Sequence, residues 1–155
     1  MLSQTSEHAI RALLYLAQRP TGEAVPAERI ARALGAPANY LAKTLNALAR
    51  HGLVTGTRGP TGGFCLRVPA SDITLARVVE AFGELRPQAM CMLGDRPCSA
   101  LTPCAAHVRW AQVQGAIHAP LRTTSIADLL DDSPREGLHA AGMDAGTHGP
   151  AAVAA

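Results

Sequence analysis

Two amphipathic segments between Val25 and His51 are separated only by the turn Gly35-Ala36-Pro37. In the first, which Val25-Pro26 opens with proline well placed for a first turn, Ile30 and Leu34 form an inner face. In the second, roughly Ala38 to His51, Leu41, Leu45 and Leu48 recur at helical spacing, and Gly52 stops the pattern. Gly35 supplies a C-terminal stop, and a turn this short, containing glycine, is what a helix-turn-helix requires.

The flanking chain extends the pattern. From Thr5 to Gln18, Ala9, Ile10, Leu13, Leu14 and Ala17 mark an earlier helix, broken by Pro20-Thr-Gly22. After Gly52, the β-prone runs Leu53–Thr57 and Phe64–Val68 flank the turn Arg58-Gly-Pro-Thr-Gly-Gly63, which reads as a hairpin. Helix, helix, turn, helix and hairpin is the order of a winged helix-turn-helix. Thr74 can cap a fourth helix facing inward through Leu75, Val78, Val79 and Phe82. Gly83–Pro103 is too rich in Gly, Pro and Cys to be regular. A longer helix is expected from about Cys104 to Ala119, with Ala106, Trp110, Val113 and Ile117 on one face and Pro120 as its stop. Ser125-Ile-Ala-Asp128 resembles a capping box for a last short helix through Leu130. Aromatic residues make up only 3% of the chain, so the core must come from Leu, Ala, Val and Ile, which favours helices. The expected fold is mainly α. Its divisions are a winged helix-turn-helix unit over 1–83, a cysteine-rich loop over 84–103, a long and a short helix over 104–130, and a disordered tail over 131–155, too poor in large apolar residues to order itself.

Charge is divided unequally. Residues 1–70 carry eight Lys/Arg against three Asp/Glu, and the remainder six against nine, so the first part is the candidate for an anionic partner. The helix after the short turn presents Asn39, Lys43, Asn46 and Arg50 at spacings of four, three and four, opposite its leucines. Asn pairs well with adenine, and Lys or Arg with guanine or phosphate. Asn39, Tyr40, Lys43 and Thr44 fall in the first turn and a half, the part of such a helix that enters a major groove. A solvated helix face would look similar if it stood alone; the preceding helix, the hairpin and the charge asymmetry favour DNA. In the hairpin, Arg58 beside Gly59 would project from a tight tip suited to a narrow minor groove.

Three of four cysteines lie close together as Cys91-x6-Cys98-x5-Cys104-x2-His107. Zinc sites usually pair ligands two to four residues apart. Iron–sulfur clusters are larger and can accept His in place of Cys. A reversible disulfide or free thiols would fit the same spacing. Cys104 and His107, one helical turn apart, could face one centre. Cys65, isolated in the hairpin, reads as a small core residue. The first residues lack a basic region followed by an apolar run, and no apolar segment approaches the ~20 residues that cross a bilayer. The expectation is a cytoplasmic protein, where clustered thiols are more often metal or redox sites than structural disulfides. No base–nucleophile pair surrounds the Cys/His loop, and there is little material for a substrate pocket, so an enzyme is not expected.

These pieces together resemble the bacterial winged-helix regulators of the Rrf type, with their IscR-like and NsrR-like branches. The matching stretches are Ser6-Glu-His-Ala-Ile-Arg-Ala-Leu13, Tyr40-Leu41, His51-Gly-Leu-Val54, the wing Arg58-Gly-Pro-Thr-Gly-Gly-Phe64, the cysteines with Cys104-x-x-His107-x-x-Trp110, and Ser125-Ile-Ala-Asp-Leu-Leu130. The resemblance spans about residues 1–130. It implies a homodimer on a palindromic operator in double-stranded DNA, joined by the long helix acting as a dimerisation helix. It also implies an iron–sulfur cluster ([2Fe-2S] favoured, [4Fe-4S] as the alternative) held by Cys91, Cys98 and Cys104. The fourth ligand is His107, or alternatively Glu7 from the partner subunit. The six-residue first gap departs from the five common in the IscR-like branch and leaves cluster type open. The expected function is a transcriptional regulator, acting as a repressor, whose operator affinity follows iron–sulfur status, nitric oxide or redox state. A cluster-free thiol/disulfide sensor of the same family is the rival. Neither a membrane nor a small-molecule substrate is implied.

Overall fold

The structure, a computed structural model, describes residues 2–59, 62–84, 93, 99 and 101–132. Helix α1 spans Gln4–Ala17, with Ser3 as its N-cap accepting a bond from the Ser6 amide at 3.2 Å. Helices α2 (Ala27–Leu34) and α3 (Ala38–Arg50) follow. Gly35 closes α2 in the left-handed region at φ +64°, its amide reaching the Ala31 and Arg32 carbonyls while the Ala36 amide reaches Ala31 at 3.0 Å. That pairing satisfies carbonyls a helix end would otherwise orphan, and glycine adopts the backbone without a Cβ penalty. Pro37 then caps α3, so the expected helix-turn-helix is present.

Strands β1 (Val54–Thr57) and β2 (Gly63–Leu66) pair antiparallel, Val54 opposite Leu66 and Thr57 opposite Gly63. Val25, read from sequence as part of a helix start, instead bridges β2. Its amide donates to Phe64 O at 2.9 Å, and the Phe64 amide donates back to Val25 O at 2.8 Å. A Cβ on Gly63 would lie 2.4 Å from both Val25 C and O, and one on Gly62 would lie 2.5 Å from Thr57 O. The Gly-Gly pair is therefore a close-approach device as well as turn chemistry. It lets the hairpin seat against the α1–α2 connection.

A 3₁₀ turn (Ala70–Asp72) leads to α4 (Leu75–Glu80), capped as expected by Thr74, whose hydroxyl accepts from the Arg77 amide at 3.3 Å. Helix α5 runs His107–Thr123, three residues later at its start than the sequence suggests, and passes through Pro120 instead of ending there. Proline offers no amide to the Ala116 carbonyl and its ring crowds that carbonyl; on this exposed helix water can satisfy the oxygen. The Thr124 amide still reaches Pro120 O at 2.9 Å. The expected capping box is present: the Ser125 amide donates to Asp128 Oδ2 at 2.8 Å and the Asp128 amide to Ser125 Oγ at 3.1 Å, opening α6 (Ile126–Asp132). These bonds hold the Asp128 carboxyl below its usual range.

One core joins α1, α2, α3, the base of the hairpin and α6, with Leu13, Ile30, Leu41, Leu45, Leu48, Ile73, Val78 and Ile126 fully buried. Helix α6 enters through a second isolated bridge: Leu75 N–H to Thr124 O at 2.9 Å and Ile126 N–H to Ile73 O at 2.9 Å. Helix α5, in contrast, buries none of its residues. Val108, Val113 and Ile117 are 67%, 47% and 54% exposed. Of the sequence expectations, the 131–155 tail lies outside the described residues beyond Asp132.

Candidate nucleic-acid interface and cysteine-bearing segment

The leucine stripe of α3 fixes which way its other residues point. With Leu41, Leu45 and Leu48 buried, Asn39, Lys43, Asn46 and Arg50 are all exposed, and Lys43, Asn46, Ala49 and Arg50 line a shallow groove along the outer face. Among the described residues the one ion pair is Arg11 with Glu7, 2.5 Å apart, so Lys43, Arg50 and Arg58 face solvent with no carboxylate to neutralise them. Uncompensated cations on one face make a local positive field suited to phosphate.

Two residues expected on that face are placed otherwise. Thr44 is 3% exposed, its hydroxyl donating to Tyr40 O at 3.1 Å within the helix. It sits three residues from Leu41 and four from Leu48, which puts it in the apolar stripe; spacing carried this signal and side-chain polarity concealed it. Tyr40 is half-buried: its hydroxyl donates to Thr5 Oγ1 at 2.8 Å and its ring meets His8 edge-on at 5.5 Å. These contacts hold the start of α3 against the first turn of α1. At the wing, Arg58 and Gly59 are exposed, and Gly59 adopts φ +113°, with the Gly62 amide closing back on its carbonyl at 2.9 Å. Pro60 and Thr61 lie outside the described residues.

Cys104 and His107, expected one helical turn apart facing one centre, are both half-buried, with the His107 amide bonded to Cys104 O at 3.0 Å where α5 begins. Cys104 precedes the helix, so the pair lies across a turn entering α5 and not on one helical face. Cys91 and Cys98 lie outside the described residues, and among the described residues no three His, Cys, Asp or Glu side chains converge on a metal-sized site. The chemistry of the two placed donors, a thiol and an imidazole in adjacent half-buried positions, fits one side of a cluster. Glu7 is exposed and paired with Arg11 on its own helix. Cys65 is half-buried, not the core residue expected.

Sequence reasoning missed Glu84, which stands where the chain leaves α4 toward the cysteines. Its carboxylate accepts from the Ser3 amide at 3.1 Å, from the Ser6 hydroxyl at 2.5 Å, and from the Ser3 hydroxyl. Ser6 is fully buried, so its hydroxyl requires a partner. Partial burial pushes the Glu84 pKa up, but the Ser3 and Ser6 bonds outweigh it and hold the carboxyl below 4.5. Contacts 78 and 81 residues apart leave no local signal in a sequence. The first turn of α1 is thereby held on two sides, by Glu84 and, through Thr5, by Tyr40 of α3.

Residues 2–132 match the family model described as "Rrf2: Iron-dependent Transcriptional regulator". A protein of Aquifex aeolicus assigned to the HTH-type transcriptional regulators is 34% identical over 133 residues, 84% of this chain and 92% of its own length. The HTH-type transcriptional regulator IscR of Vibrio atlanticus is 30% identical over 132 residues, 85% of this chain and 76% of its own length. CymR, the global cysteine regulator of B. subtilis, superposes with a TM-score of 0.71 at 21% identity, covering 86% of this chain and 98% of its own. No helix among the described residues is long and apolar enough to cross a membrane.

Proposed function

The chain belongs to the Rrf2 family of transcriptional regulators, and from that premise we propose that it is a homodimeric repressor whose affinity for a palindromic operator is set by an iron–sulfur cluster. The observation that carries the DNA half is the exposed, uncompensated row Asn39, Lys43 and Arg50 with Arg58 at the wing. Asn39 and Lys43, near the start of α3, read base edges; Arg50 contacts phosphate; Arg58, with the backbone of Gly59, enters the minor groove. Tyr40 and Thr44 act from behind, fixing the helix that carries the readers.

Support for the dimer comes from α5. A helix of 17 residues with none buried and three large aliphatic side chains exposed needs a second surface, and a two-fold copy of itself supplies one. Two recognition helices are then held at a fixed separation, and a palindromic site follows from that symmetry.

Cys91, Cys98 and Cys104 would hold the cluster, with His107 as fourth ligand or Glu7 of the partner subunit in its place. A bound cluster supplies a centre whose presence or oxidation state responds to iron, nitric oxide or redox conditions. This chain's own contribution is positional. Cys104 and His107 sit at the start of α5, and Glu84 ties the other end of the cysteine-bearing segment to α1. Ordering that segment therefore biases both the dimer helix and the helix that braces α3. Iron and sulfide counts with an absorption spectrum after anaerobic purification test the sensor: a colourless protein with three titratable loop thiols supports the thiol-switch reading instead. Lys43→Ala and Arg58→Ala test the reader. Each should weaken operator binding and relax its sequence preference, whereas Arg50→Ala should weaken every duplex alike and lower the slope of log K against log salt by about one; unchanged affinity and preference in the first two would place the reading surface elsewhere.

A further inference from the structure

A cavity of about 370 Å³ lies between the end of α1 with its following turn (residues 16–23) and the base of the wing (residues 65–70). It is distinct from the α3 face and from the cysteine-bearing segment. Leu16, Leu66 and Val68 give it an apolar wall, and Arg19, Arg67 and Glu23 supply its charges. The Arg19 guanidinium lies on the Tyr15 ring, 4.5 Å from the centroid, and its Nε is buried with no hydrogen-bond partner. Stacking fixes the plane of the guanidinium but accepts no N–H bond. Neither Arg19 nor Arg67 has a carboxylate partner among the described residues. Two lining cations without carboxylate partners among the described residues, at the edge of an apolar pocket, suit an oxyanion with an apolar body.

We propose that this cavity is a binding site for a small organic monocarboxylate. Its carboxylate accepts from the edge of the Arg19 guanidinium and from Arg67, and its hydrocarbon body lies on Leu16, Leu66 and Val68. At about 30 Å³ per water-sized group the volume holds roughly ten heavy atoms, which sets a chain of about four to eight carbons. Glu23 leaves the site with a single net positive charge, so a second carboxylate on the ligand is disfavoured. Inorganic phosphate lacks the apolar body and binds more weakly. The ligand bridges α1 to β2, at the root of the wing that carries Arg58.

Titrating the purified full chain with sodium hexanoate, against hexanamide, adipate and inorganic phosphate, tests the site. Hexanoate should raise the melting temperature saturably, by about 4 °C at ten times its Kd. It should also slow alkylation of Cys65, which lines the cavity, as read by peptide mapping. Hexanamide and adipate should do neither, and Arg67→Met should weaken hexanoate at least tenfold while leaving the fold intact, because Arg67 is exposed. Arg19→Met should abolish the effect. Equal shifts with hexanamide or with phosphate, no saturation, or an unaltered Cys65 rate would each overturn the proposal.

Discussion

Replacing Gly63 by Ala asks whether the wing is held by close backbone approach. The added Cβ would sit 2.4 Å from Val25 C and O and 2.7 Å from Pro26 N, all backbone atoms that cannot rotate aside. Restoring ordinary contact moves β2 away by about 1 Å, and the two Val25–Phe64 bonds at 2.8 and 2.9 Å then stretch beyond hydrogen-bonding range. Two backbone bonds at about 1 kcal/mol each give a loss of about 2 kcal/mol, rising to about 4 if a separated amide stays buried and unpaired. For a domain of this size that is a fall in melting temperature of about 6–11 °C. Thermal and urea unfolding measure it, and hydrogen exchange at the Val25 and Phe64 amides locates it. Gly115→Ala is the control of opposite sign, because a Cβ there meets nothing within 4 Å and relieves a glycine inside α5. If Gly63→Ala unfolds within about 0.5 kcal/mol of the unaltered chain, with both amides still protected, the close-approach account is refuted.

Three further outcomes follow from other parts of the molecule. Thr44→Val should leave the pattern of base preference intact, whereas Asn39→Ala should change it; selection from a randomised operator library separates the two. Glu84 is ionised more readily in the folded chain than in the unfolded one, so its contribution is present above pH 4.5 and is lost as pH falls through the lowered folded value. The urea midpoint of the unaltered chain should therefore drop more steeply below pH 4.5 than that of Glu84→Gln, and parallel profiles would remove Glu84 from the account. Ile117→Glu, on the exposed side of α5, should shift the species seen by sedimentation from dimer to monomer without lowering helix content in the core; an unchanged dimer would place the interface on another surface.

Much of this architecture is legible in the chain because it is local. The Gly35 stop, the Thr74 cap, the Ser125–Asp128 box and the leucine stripe of α3 each involve residues within about one or two helical turns, and each is where spacing puts it. The misreadings have other causes. Pro120 gives a local stop signal, but α5 continues through it for three more residues to Thr123. Thr44 was placed by its hydroxyl although its period put it with the leucines. The Val25–Phe64 bridge and the Glu84–Ser6 bond join segments far apart in sequence, and nothing near either partner announces them. Of the residues proposed for the sensor, Cys104 and His107 share a backbone bond across the turn into α5, and Glu84 adds an anchor that no metal-ligand spacing would suggest.

The bridge at Thr124–Ile126 has a kinetic consequence. Among the described residues after Glu84, Ile126 is the first to fill a fully buried position, beside α1. The core thus stays open until the cysteines and α5 have been synthesised. Closing a long loop costs entropy before any contact compensates it, so docking of α6 is a late event in folding. A nascent chain halted before residue 125 would expose the apolar side of α1 to a chaperone or a protease. The core that supports α3 is therefore incomplete until the cysteines have been synthesised.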